Sequence, residues 1–305
     1  MKKFKWILPV LFIGMLIVAN CDWTALTISE PLRVPELPEH PEEQKSEWQG
    51  DREPDGGFDP YFRPAYNMGS CKRLSGTVHT VTFFVNDMQS SWTEGEARSF
   101  TFRAMAPALR TLEEKAGERG VDLKFENWQI MRNGKRKLQL KDAVSKDPDD
   151  LWYLDNLLPQ LARQLGFRGQ GEMDTYFKDY FDTDQVVYYV VFDDKGRSFA
   201  AQDHEDRSHD KIEFCVLFSS SSNGFLESTH VVGHETMHLF GAEDYYDPNG
   251  DLPERKKMAE EICPDDVMLE RKNDFKENTI CDITAYTVGW LSELPPEILD
   301  PRWSH

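Results

Sequence analysis

The chain has 305 residues and carries 54 acidic against 35 basic side chains, which gives a formal net charge of −19. This length is enough for one sizeable domain with extensions. The acidic excess excludes a surface that binds nucleic acid or anionic lipid through its charge. It favours a soluble, self-repelling body, which we expect to be monomeric.

The N-terminus has a charged start followed by an apolar run, "MKKFKWILPVLFIGMLIVANC". This pattern is typical of a bacterial secretory signal, and the run is short for a well-anchored spanning helix. The ending Val18 to Cys21 resembles a lipobox, in which the cysteine is lipidated, although Asn20 departs from the usual small residue. We therefore predict a lipoprotein-type signal peptide at 1–20, with an uncleaved anchor as the alternative. Both place the protein outside the cytoplasm, in the periplasm or at the cell surface.

Residues 21–69 are rich in Pro, Glu, Asp and Gly, as in "SEPLRVPELPEHPEEQKSEWQGDREPDGG". A segment of this composition cannot bury enough apolar surface to fold. We predict an extended tether that holds a folded domain, residues 70–305, away from the membrane.

The first elements of this domain are predicted from residue type and spacing. The stretch "TVHTVTFFVND" (77–87) is β-branched and aromatic, which predicts a strand. Apolar residues at helical spacing predict a helix over 94–120, and Pro107 either kinks this helix or marks its true start. The stretch "VDLKFENWQI" (121–130) predicts a second strand.

The second half continues with one helix and three short strands before a final helix. Leucines on one face predict an amphipathic helix over 149–167, and the apolar run at 185–194 predicts a buried central strand. Short strands are predicted at 196–202 and at 211–220. This order predicts an α+β domain with a mixed β-sheet and helices packed against it.

The final helix carries the motif "VVGHETMHLFGAEDYY" (231–246). Side chains four residues apart lie on one helix face, so His234 and His238 can offer nitrogens to one zinc ion. Glu235 is adjacent to the first ligand and can act as a general base toward a metal-bound water. Gly241 tolerates the left-handed conformation that turns the chain sharply, which would bring Asp244 back as a third ligand.

Other residues near the motif are weaker candidates for a ligand. His230 and His238 are separated by a helical rise of about 12 Å, too far to share one ion, so we expect His230 to pack beside the site. Glu260 or Glu261 could serve in another class of zinc peptidase, but the local pattern of that class is missing.

A calcium site is a secondary expectation. Asp247, Asn249 and Asp251 offer the oxygen ligands that Ca²⁺ prefers, but they lack the spacing of an EF-hand loop. A solvated turn is the better interpretation.

The arrangement His234-Glu235-x-x-His238-x-x-Gly241-x-x-Asp244 resembles the extended motif of the metzincin clan of zinc endopeptidases. Aspartate as the third ligand resembles the snapalysin branch, and the run through Tyr246 resembles the immune inhibitor A type. The resemblance implies a zincin-like sheet with an active-site helix, a metallopeptidase catalytic domain over 70–305, the ligands and base named above, and Tyr246 as a candidate substrate contact.

The resemblance also implies a methionine turn beneath the metal and an edge strand above the cleft. In "CPDDVMLE" (263–270), Met268 corresponds to the methionine, while Glu270 stands where some members have a tyrosine. The segment 196–202 falls where the clan places its substrate-binding edge strand, so candidate substrate contacts are Ser198, Phe199 and Ala200.

Four cysteines besides Cys21 suit an exported protein and allow three pairings. Cys263 with Cys281 closes a short loop and is the first choice. Cys71 with Cys215 then follows by elimination.

These features predict a zinc-dependent endopeptidase that acts on protein or peptide substrates and is anchored by lipid outside the cytoplasm. The alternative is a surface-displayed binding protein or adhesin on the same scaffold, with structural zinc or none. Glu235 distinguishes the two, because a structural zinc site does not need a general base.

Overall fold

A computed structural model describes residues 70–133, 136–141, 156–201, 212–246, 253–272, 274–293 and 295–299. The predicted signal peptide, Cys21, the tether, the first part of the 149–167 helix and the three candidate calcium ligands lie outside the described residues. Within the described residues, no helix combines the length and apolar character needed to cross a membrane.

The described strands and helices follow one another in small groups along the chain. The strands are β1 (Gly76–Val85), β2 (Leu123–Ile130), β3 (Arg132–Asn133), β4 (Arg136–Lys137), β5 (Val186–Gly196), β6 (Phe199–Ala201) and β7 (Phe214–Ser221). The helices are α1 (Glu94–Phe100), α2 (Ala106–Glu118), α3 (Leu158–Leu165), α4 (Gln170–Phe181), α5 (Thr229–Leu239), α6 (Pro253–Ile262) and α7 (Asp282–Thr287).

The main sheet has five strands in the order β2-β1-β5-β7-β6. The first four are parallel, and β6 at the end of this order runs antiparallel to β7. The strands β3 and β4 form a separate antiparallel pair. The predicted α+β class with a mixed sheet is therefore confirmed.

The sheet is covered on both faces, which explains the nearly continuous apolar sequence of its central strand β5. Alternate residues of β5 enter two different cores: Tyr189 faces a core built with α1, α2, α5 and α7, whereas Tyr188 faces one built with α3 and α4. The helix that carries the metal-binding motif thus packs on one face of the sheet.

The region predicted as one helix over 94–120 is divided. A π-helical turn, Thr101–Met105, separates α1 from α2, and Pro107 lies in the first turn of α2. Proline has no N–H to donate, so it is tolerated at a helix start and not in the interior. The interruption predicted at Pro107 is confirmed, whereas α4 was not predicted at all.

One disulfide joins Cys263 to Cys281, with their Cα atoms 5.8 Å apart, as predicted. The predicted pairing of Cys71 with Cys215 is wrong, because both are free and buried. The Cys71 Sγ lies 4.0 Å from the carbonyl of Val186, whereas Cys215 is opposite Tyr189, three residues further along β5. That offset of about 10 Å along a strand exceeds the span of a disulfide.

Candidate metal centre

The helix α5 begins and ends with clear signals. The Ser228 hydroxyl caps its N-terminus by accepting a hydrogen bond from Val231 N. At the other end Gly241 has φ = 99°, the left-handed conformation expected of it, and its N–H donates to the His238 carbonyl at 2.8 Å. The chain therefore turns back beside the helix, as the motif predicted.

This turn brings Asp244 against the two histidines. The Nε2 atoms of His234 and His238 lie 3.1 Å apart, and each lies 3.1 Å from Asp244 Oδ1. Tetrahedral ligands at about 2.0–2.1 Å from a zinc ion are separated by about 3.3 Å. The three atoms thus form a triangle of the size that a zinc site requires, and they are the metal-ligand cluster found among the described residues.

The outer nitrogens of both imidazoles face backbone carbonyls. His234 Nδ1 lies 3.0 Å from Val267 O, and His238 Nδ1 lies 2.7 Å from Ala242 O. A carbonyl can only accept, so each Nδ1 carries the proton and each Nε2 of the neutral ring presents a lone pair. Three electron-pair donors therefore face one another.

The third corner of the triangle has an unsatisfied oxygen. Asp244 Oδ1 is buried and makes no hydrogen bond with any described residue, although both Nε2 atoms are close. An ionised, buried and unbonded oxygen between two lone pairs fits a cation at the centre.

Glu235 lies beside the triangle in a cavity of about 330 Å³, which His234 and Tyr246 also line. Its side chain is buried, and burial raises its pKa to about 7, with Asp244 contributing in the same direction and His234 opposing it. A carboxyl group with this pKa can take up and release a proton near neutral pH.

Tyr246 also belongs to this group. Burial raises the pKa of its hydroxyl, and the negative charge of Asp244 adds to the effect. The hydroxyl therefore stays protonated at neutral pH and remains a hydrogen-bond donor at the cavity.

No protein-family model and no curated protein matches the chain. Among solved structures it is similar to the crystal structure of metalloproteinase-II from Bacteroides fragilis, with 10% sequence identity and a TM-score of 0.35. The match covers 72% of this chain and 55% of that one, so the chain spans little more than half of that protein's length. Functional inference therefore depends on the geometry of the site itself.

The candidate substrate contacts on the edge strand have different surroundings. Phe199 and Ala200 are half-buried in β6, where they pair with Val216 and Cys215 of β7. Ser198 is buried, and its hydroxyl donates to Glu227 Oε2 at 2.7 Å. Ser198 thus supports the wall of the cavity, and the binding of substrate by this strand stays a prediction.

The segment around Met268 is held by a carboxylate that the sequence did not indicate. Buried Asp266 accepts hydrogen bonds from Met268 N at 2.8 Å, Cys281 N at 2.6 Å and Thr284 Oγ1 at 3.0 Å. Met268 is fully buried in the core, and its role as a methionine turn stays a prediction. The same segment supplies the carbonyl that orients His234.

Two further buried residues lie near the triangle, and only Glu227 was not assigned a role from the sequence. Glu227 lines the cavity, is 4% exposed, and accepts from Ser198 and from Ser228 N. His230 Nδ1 lies 2.8 Å from Asn278 Oδ1, outside the triangle, as expected for a packing residue. Glu260 and Glu261 are exposed on α6 and are not part of the cluster.

Proposed function

We propose that the protein is a zinc-dependent endopeptidase. The observation that carries the proposal is the triangle of His234 Nε2, His238 Nε2 and Asp244 Oδ1 at 3.1 Å, next to a cavity that contains Glu235. Two imidazoles and a carboxylate are a ligand set typical of catalytic zinc, which keeps its fourth position for water or substrate. When bound there, zinc would polarise a peptide carbonyl and lower the pKa of a coordinated water.

The protein's own groups divide the remaining work. Glu235 lies beside the triangle in the cavity and can take the proton from the attacking water and deliver it to the leaving amine. Tyr246 stays protonated and can donate a hydrogen bond to the substrate carbonyl as negative charge develops on its oxygen.

The shape of the site supports a peptide as the substrate. The cavity is lined by Gly196, Arg197 and Ser198, which lead directly into β6 at the end of the sheet. An extended peptide can add to such an edge through main-chain hydrogen bonds. We further propose, from the sequence of residues 1–69, that a lipid on Cys21 anchors the enzyme outside the cytoplasm.

Hydrolysis of casein by the full chain in mild detergent tests the proposal. We expect cleavage that a zinc chelator abolishes, that added zinc restores, and that Glu235→Ala eliminates while zinc remains bound. Glu260→Ala, which removes an exposed carboxylate on α6, is the matched control and should cleave normally. Bound zinc without cleavage in the wild-type protein would favour a binding protein with a structural metal.

A further inference from the structure

Two arginines line the cavity that contains Glu235, and their surroundings differ. Arg271 has its Nη2 3.8 Å from the carboxylate of Glu227. Arg197 is exposed, and none of the hydrogen bonds or ion pairs among the described residues involves it. Among the described residues, Arg197 is thus the arginine of this cavity whose guanidinium faces no carboxylate partner.

Arg197 is also close to the groups that we assign to catalysis. Arg197, Glu235 and Tyr246 line the same cavity of about 330 Å³. The chain neighbours of Arg197, Gly196 and Ser198, line it as well, so this stretch of backbone borders the groups that we assign to catalysis.

The position of Arg197 in the chain relates it to the edge strand. It stands between the last residue of β5, Gly196, and Ser198, which precedes β6. In an extended peptide paired along this edge, alternate side chains point to the same face. One of them would lie beside Arg197 when the peptide backbone passes Glu235.

We propose that Arg197 selects peptides that carry an aspartate or glutamate side chain next to the bond to be cleaved. A guanidinium presents its N–H groups in a planar fork that matches a carboxylate, so it binds Asp or Glu more tightly than Asn or Gln. This inference rests on the proposed function only in placing a peptide in the cavity. It assigns to Arg197 a role in substrate specificity and none in the chemical step.

A binding experiment separates this inference from peptidase activity. The full chain with Glu235→Gln, loaded with zinc, is titrated against fluorescein-labelled ten-residue peptides in which one glutamate is moved through a neutral sequence. Matched peptides carry glutamine or lysine at the same position. We expect the best glutamate peptide to bind about five- to tenfold more tightly than its glutamine counterpart, with the difference falling as salt is added.

Substitutions in the same background assign the preference to one residue. Arg197→Gln should remove the preference, and Arg197→Glu should reverse it in favour of lysine, which also shows that this variant is folded. Arg110→Glu makes the same charge change at an exposed position of α2 and should leave the preference intact.

The outcomes divide clearly. Equal affinity for the glutamate and glutamine peptides, a preference that survives Arg197→Glu, or no peptide binding would overturn the inference. Casein digestion by the protein without substitutions is measured separately. A glutamate preference without any digestion would refute the peptidase activity and support the role of Arg197. Digestion without the preference would support the peptidase activity and refute the role of Arg197.

Discussion

The most direct test of the metal centre is the substitution Asp244→Asn. This change keeps the size of the side chain and leaves a neutral amide in place of the carboxylate oxygen that lies 3.1 Å from both histidine nitrogens. Structural zinc sites with four ligands bind with about 10–16 kcal/mol, or about 3 kcal/mol per ligand. Because an amide oxygen is a poorer ligand but not an absent one, we expect zinc affinity to fall about a hundredfold, near the lower limit of this estimate.

The same substitution should change stability in a metal-dependent way. A hundredfold loss of affinity subtracts about 2.7 kcal/mol from the stabilisation that a fixed excess of zinc provides. Without zinc, Asp244→Asn removes a buried, ionised oxygen that makes no hydrogen bond to a described residue, so the free energy of unfolding should stay level or rise. The variant is thus expected to bind zinc more weakly than the wild-type protein. Its free energy of unfolding should also fall by less when zinc is removed.

Both effects can be measured by competitive zinc titration and by urea unfolding with and without a chelator. Glu243→Gln is the matched control, because it removes a neighbouring carboxylate that pairs with Arg255 outside the triangle. Its zinc affinity should equal that of the wild-type protein. A zinc affinity of Asp244→Asn within threefold of wild type would refute Asp244 as a ligand and with it the three-ligand site.

Three other predictions concern the residues that support the site. Glu227→Ala should raise KM about tenfold with a smaller change in kcat, because Ser198 loses its hydrogen-bond partner beside the edge strand. Glu227→Gln keeps an oxygen that can accept this bond, so its KM should be close to that of the wild-type protein. Steady-state kinetics on a peptide substrate measure KM and kcat of both variants. Removing both cysteines of the 18-residue disulfide loop should cost about 3 kcal/mol in urea unfolding and about tenfold in zinc affinity, because that loop orients His234. Burial lowers the pKa of His230 to about 4, so stability that depends on its neutral form is complete above about pH 6.5 and is lost as pH falls toward 4. Between pH 7 and pH 4, in the presence of a chelator, the free energy of unfolding of the wild-type protein should fall by about 2–3 kcal/mol more than that of His230→Gln. Equal decreases would contradict a buried neutral imidazole.

The parts of the structure that sequence predicts well are those fixed by local pattern. The burial of β5 follows from its apolar run, and the left-handed turn at Gly241 follows from the residue itself. The position of Asp244 could be predicted because it follows Gly241 by only three positions in the chain. By contrast, α4 was missed because Met173 and Phe177 are its only fully buried side chains, too few for a helical period to stand out.

The parts that sequence does not predict depend on contacts between distant segments. Cys71 and Cys215 could be paired only by elimination, which ignores that free buried cysteines pack as small apolar residues. Asp266 and Glu227 look like ordinary members of an acidic chain. Only the fold shows that each is buried and hydrogen-bonded beside the site.

The separation of the site between two segments has a thermodynamic consequence. His234 and His238 come from α5, but the tautomer of His234 is fixed by Val267, which lies in the loop closed by the Cys263–Cys281 disulfide. Tyr245 N also donates to Met268 O at 2.9 Å, so the chain just after the helix is fastened to that loop as well. Because the site needs this loop in its ordered form, metal binding and loop order stabilise each other by the same free energy. Loss of zinc should therefore loosen the region around Asp266 before the parallel strands of the sheet, and hydrogen exchange would detect that order.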